Sequence, residues 1–191
     1  MNVHFKMVAG LSTLSLAALL LLAAPATAEV FHSKQSAFAA AFPAGADVEQ
    51  VNVFLSDEDA AWIKSHAGVE WPGRLANVYV ARKDGEPVAY GYFDTHKVRT
   101  LDETVLLVVR PDGHLEQVVQ VAFHEPAEYR APGRWLAQFR DRALDPKLSL
   151  KADIDGLSGA TLTARALTAS VRAVLALHQR KFGASPGDTK G

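Results

Sequence analysis

The sequence predicts an α+β fold: an antiparallel β-sheet with short N-terminal helices and one long C-terminal helix packed on the sheet. Three observations carry this. Four β-branched or aromatic runs follow one another between Arg74 and Phe123. The tight-turn sequences Lys83–Asp84–Gly85 and Pro111–Asp112–Gly113 separate neighbouring runs, as antiparallel hairpins require. From about Gly159 to Phe182, Leu162, Ala166, Leu167, Val171, Val174 and Leu175 recur at helical spacing.

The elements follow in order. Residues 1–28 carry Lys6, no acid, an apolar run from Leu14 to Ala24, and Ala26 and Ala28 as an A-x-A site before Glu29. This is the pattern of a secretory signal peptide cleaved after Ala28, and it predicts an exported, periplasmic protein. As an uncleaved anchor the run is short against the roughly 20 residues of a spanning helix. Residues 29–73 form a helix and strand region. Ser33 caps a helix reaching Phe42, alternation at Val48, Val51, Val53 and Leu55 predicts a strand, and Ser56 opens a second helix holding Trp62 and Ile63.

The main domain is expected over 74–182, with strands at 75–81, 87–93, 104–110 and 115–123. The stretch from Asp94 to Asp102, with His96, Lys97 and Arg99, reads as a long connection folded over one sheet face. Residues 124–157 look irregular, with a short helix around Trp135. On the final helix, Arg165, Arg172 and Gln179 fall opposite the apolar stripe. The Gly, Ser, Pro and Lys tail at 183–191 is expected to be disordered.

Composition narrows function. The 191 residues are 49% hydrophobic, with 13 Gly and 9 Pro, as in globular proteins. Twenty basic and 21 acidic residues leave a formal charge of −1 without any basic run, so no nucleic-acid partner is expected. The chain has no cysteine, which excludes disulfides, thiolate metal sites, iron–sulfur clusters and a cysteine nucleophile. Redox chemistry here requires a bound cofactor. His96 and His124 with Glu125 lack the spacing of a metal motif, so no metal is expected. Ser158 lies in no G-x-S-x-G elbow.

One segment points to chemistry: Asp155–Gly156–Leu157–Ser158–Gly159–Ala160–Thr161, followed by Leu162 and Thr163, at the start of the final helix. Ser158 is a good N-cap, and Gly159 and Ala160 add no bulk, so backbone N–H groups and the helix dipole face open space. That arrangement suits an anion, with the Thr161 hydroxyl beside it. A Ser-capped helix after a glycine turn is also an ordinary structural arrangement, and the residues alone leave both readings open.

The segment resembles the flavinylation motif of the FMN-binding domain family, found in extracytoplasmic flavin subunits of Rnf and Na⁺-translocating NADH:quinone reductase complexes. That motif reads Asp-Gly-x-Ser/Thr-Gly-Ala-Thr, and Asp155, Gly156, Ser158, Gly159, Ala160 and Thr161 occupy every specified position. The resemblance extends over roughly 74–178. It implies FMN joined through its phosphate to Thr161 by a flavin transferase, with Asp155 read by that transferase. Ser158, Gly159, Ala160 and Leu162 would then surround the cofactor. Family subunits carry a Glu-Thr-Pro-Gly-type loop beside the ring; His124–Glu125–Pro126 stands in its place here without the Thr and Gly. Glu125 is thus a candidate to bond the ring or ribityl chain, and Tyr129 and Trp135 to clamp the ring, each of the aromatics being equally readable as core. Lys97 and Arg99 either attract an anionic partner or the flavin's charge, or sit on an exposed connection.

The implied role is extracytoplasmic electron transfer with a membrane-bound donor or acceptor. Two other readings remain at this point: an exported module holding an anionic ligand non-covalently, and a flavin reductase acting on a soluble substrate. No G-x-G-x-x-G loop for a dinucleotide is present.

Overall fold

The computed structural model describes residues 29–183; the expected signal peptide and the tail from 184 lie outside the described residues. Strands β1 (Glu29–Val30), β2 (Asp47–Phe54), β3 (Leu75–Lys83), β4 (Glu86–Lys97), β5 (Asp102–Val109) and β6 (Leu115–Phe123) form one antiparallel sheet in the order β1-β6-β5-β4-β3-β2. Turn chemistry fixes this meander. Asp84 and Gly85 join β3 to β4 with φ of 53° and 85°, the two positive values that a two-residue type I′ hairpin demands.

One expectation needs correcting. Asp94–Lys97 is not a connection but the end of β4, paired with β5 from Asp94↔Val105 to Lys97↔Asp102. Its polar residues suit a strand because Asp94 and His96 lie on one face, with Glu103 directly opposite His96. Only residues 98–101 turn the chain.

Helix α1 (Lys34–Ala41) begins at Ser33, whose hydroxyl accepts from the Ser36 N–H, and it covers one sheet face through Ala37, Ala41 and Phe42. Phe42 sits against Gly91 of β4, where a Cβ would come within 2.6 Å of its ring. The other face carries the larger core. There α2 (Asp57–Ala67), α3 (Gly133–Leu136) and α4 (Thr161–Lys181) pack on β3 to β6. Ser56 and Asp59 make a reciprocal capping box at the start of α2, and Gly68 ends it at φ 73°.

Helix α4 is anchored through α2. Asp59 pairs with Lys181 and, at 2.8 Å, with Arg180; these cations hold its carboxyl far below the usual range despite burial. Arg172 also departs from expectation. Arg165 and Gln179 are exposed, but Arg172 is half-buried and donates to the carbonyls of His66, Ala67, Asp145 and Leu148. A guanidinium thereby satisfies the carbonyl end of α2, where its charge also suits the helix dipole. Among the described residues, no helix is long and apolar enough to cross a membrane.

Candidate functional site

The start of α4 is open. Gly159 takes a left-handed φ of 80°, Ala160 is the capping position, and no side chain caps the helix. The expectation for Ser158 is corrected here. The left-handed turn at Gly159 shifts the first helical residue to Thr161, leaving Ser158 exposed and too early in the chain to cap. The first intrahelical bond runs from the Ala164 N–H to the Ala160 carbonyl at 3.1 Å, so the N–H groups of Thr161, Leu162 and Thr163 have no helical acceptor. Thr161 is exposed among them.

These groups form one wall of a cavity of about 370 Å³, with Gly159–Thr163 on one side and Val98, Arg99 and Tyr129 on the other. Among the described residues, no carboxylate lines it. Leu162, 42% exposed, adds an apolar side chain to this wall. An anion is favoured by both sides: by the helix dipole and free N–H groups on one, by the Arg99 guanidinium on the other.

The second wall is held by a buried carboxylate. Glu125 Oε1 accepts from the backbone N–H groups of Arg99, Thr100 and Leu101 at 3.0, 2.6 and 2.8 Å. Burial raises its pKa, but these three donors outweigh that and hold it below the ordinary value. Glu125 therefore shapes the 98–101 turn and is not among the residues that line the cavity. Tyr129 does line the cavity. Its hydroxyl accepts from Arg99 Nη1 at 3.2 Å, the guanidinium carbon lies 5.3 Å from its ring centre, and its carbonyl accepts from Thr163 Oγ1 at 2.6 Å.

Trp135 is not a clamp. It is 5% exposed, packs edge-on against Phe139 and donates its indole N–H to the Asp155 carbonyl at 2.9 Å. Asp155 is tethered by its backbone alone, its N–H donating to Gln138 Oε1, while its side chain is exposed and away from the cavity lining. Thus Thr161, Leu162, Gly159, Ala160 and Tyr129 converge, whereas Ser158, Asp155 and Glu125 stand outside. Val98 and Thr163 join the site without any signal in the motif that singles them out.

Sequence reasoning also misses a polar triad beyond the cavity, with Glu103 buried and Asp94 and His96 half-buried. His96 Nδ1 donates to Asp94 Oδ2 at 2.7 Å and Nε2 faces Glu103 Oε2 at 3.3 Å, while Gln120 donates to Glu103 Oε1. Burial disfavours the imidazolium, yet the two carboxylates prevail and raise His96 to about 9. Period-two spacing of Asp94 and His96 is the signal, legible only once the segment is known to be a strand. Among the described residues, no cluster of His, Asp and Glu is arranged to hold a metal ion.

Comparison with known proteins covers part of this cavity's lining, Tyr129 and Gly159–Thr163 but not Val98 or Arg99. Residues 100–176 match the family model of the FMN-binding domain, a segment that starts in the turn below Arg99 and ends within α4. No curated protein matches the chain. The match agrees with the resemblance carried by 155–161 and supports flavin binding by this segment.

Proposed function

With the FMN-binding domain matched over residues 100–176 as premise, we propose that this chain is an exported flavoprotein carrying FMN esterified through its phosphate to Thr161. The observation that carries the reading is the exposed Thr161 hydroxyl at the uncapped start of α4, inside the cavity closed by Tyr129 and Arg99. The residues present fit the group. Free N–H groups of the first turn offer a home for phosphate charge, and no carboxylate opposes it. Tyr129, Leu162 and Val98 give the ring an aromatic and apolar environment.

A covalent link removes cofactor dissociation from the binding equilibrium, an advantage outside the cytoplasm where free FMN is scarce. A flavin transferase installs it, reading the exposed Asp155. When bound, the flavin takes up two electrons and releases them one at a time. The chain's role is then electron transfer in the periplasm, with a membrane-bound donor or acceptor.

Intact mass and visible spectra test this on protein co-expressed with a flavin transferase, recorded before and after denaturation. The wild type is expected to carry one FMN-sized increment that survives denaturation, and Thr161→Val to lack it while keeping the fold. Stable flavin on Thr161→Val would move the attachment elsewhere. A colourless, unmodified wild type leaves the uncapped helix as a non-covalent anion site, and NAD(P)H oxidation without a membrane partner would favour a soluble reductase.

A further inference from the structure

We infer that Arg99 holds the negative charge of the reduced flavin ring and so raises the potential of the cofactor. This rests on the FMN reading above and extends it to the redox behaviour of the site. An FMN phosphate esterified to Thr161 keeps one negative charge, which the first-turn N–H groups of α4 are placed to meet. The cavity then has one cation left, on the opposite wall.

That cation has no counter-ion. Among the described residues, Arg74, Arg82, Arg110, Arg130, Arg140, Arg142 and Arg180 each pair with a carboxylate; Arg99, Arg134, Arg165 and Arg172 pair with none, and of these four Arg99 lines the cavity. Lys97 nearby is engaged with the Thr100 carbonyl and Asp102. Arg99 is exposed, and its contacts orient it toward the cavity. Its backbone N–H is bound by buried Glu125, its side chain by the Tyr129 hydroxyl and ring, and Tyr129 in turn by Thr163 of α4. A preorganised guanidinium needs no rearrangement when charge develops beside it.

Charge does develop on reduction. Two electrons from the donor and one proton from solvent convert the neutral oxidised ring to a monoanion; a second proton would neutralise it. A guanidinium in the cavity favours the monoanion over both neutral states, which raises the potential and delays the second proton. Cation charge beside the ring is one of the means by which a protein tunes a flavin.

The test uses covalently loaded wild type, Arg99→Gln and Arg99→Lys, with loading read by intact mass, folding by circular dichroism, and midpoint potential followed against pH. Arg99→Gln is expected to load fully but to lose about tenfold in preference for the reduced form, which is about 30 mV for a two-electron couple. At neutral pH the wild type is expected to take up one proton per two electrons, and Arg99→Gln closer to two. Arg99→Lys keeps the charge without the planar fork and should fall between them; it carries the test if Arg99→Gln does not fold. Unchanged potential and proton uptake in loaded Arg99→Gln would overturn the inference. So would a folded Arg99→Gln that fails to load, which places the guanidinium at the phosphate. A wild type without flavin overturns the FMN reading and this inference together, and is recognised before any potential is measured.

Discussion

Glu125 shows how much one buried side chain can decide. A single oxygen closes three consecutive N–H groups, so the turn bearing Arg99 and Val98 depends on a charge that never reaches the cavity. Charged acceptors make stronger hydrogen bonds than neutral ones, and an orphaned buried donor is costly. Glu125→Gln preserves the shape but removes the charge, and is expected to cost about 1–3 kcal/mol in urea denaturation. The pH dependence has a definite sign. A carboxyl with a lowered folded pKa stabilises above its unfolded value of 4.5, and that contribution is lost as pH falls below it. The glutamine variant should therefore lose stability less steeply than the wild type on acidification from pH 5.

At the scale of elements, β4 is the strand on which both sheet faces depend. Gly91 gives Phe42 room on the α1 side, and Gly91→Ala forces the ring and Leu106 to shift, since the new Cβ would lie 3.2 Å from Leu106 Cδ1. Overpacking of this kind is expected to cost about 1–3 kcal/mol, read as a lower denaturation midpoint. Farther along, Tyr92 of the same strand reaches the opposite face and meets His178 of α4.

The hairpins of this sheet were legible because Asp84–Gly85 and Asp112–Gly113 are chemically committed to turning. The far end of β4 was not, because Asp94, His96 and Lys97 read as loop residues until the pairing with β5 shows their charges compensating. The motif at 155–161 located the cavity, yet composition alone could not reveal that Gly159 turns left-handed and displaces Ser158 from the cap. Glu125 is singled out by its place in the loop that stands for the family's Glu-Thr-Pro-Gly loop and Trp135 by its aromatic ring, but only tertiary contacts separate a residue that lines a cavity from one that supports its wall.

At the scale of the whole molecule, the half-buried His96 and the buried His178 pull in opposite directions. His96, raised to about 9, stays charged in the fold after its unfolded counterpart has lost its proton, so its contribution is full below pH 6.5 and fades as pH rises through 9. His178 is lowered to about 4 because burial disfavours its charge, with Asp112 opposing weakly. Its contribution is full above pH 6.5 and fades as pH falls through 4. Together they predict a stability maximum near pH 6.5, falling on both sides. His96→Gln should flatten the alkaline limb, which amounts to up to about 3 kcal/mol, and leave the acid limb in place, as denaturation at a series of pH values would show.

The two ends of α4 are held unequally. Asp59 grips Lys181 and Arg180, and Arg172 bolts the middle to the end of α2, whereas the first turn is tied across the cavity through Thr163 and Tyr129. Mechanically this is a cantilever, clamped at its root and along its span, with Thr161 at the tip. Load applied at the tip, by a tethered group or a docking partner, passes to the Thr163–Tyr129 bond and to the buried Ala160, Thr163 and Ala164 just behind it.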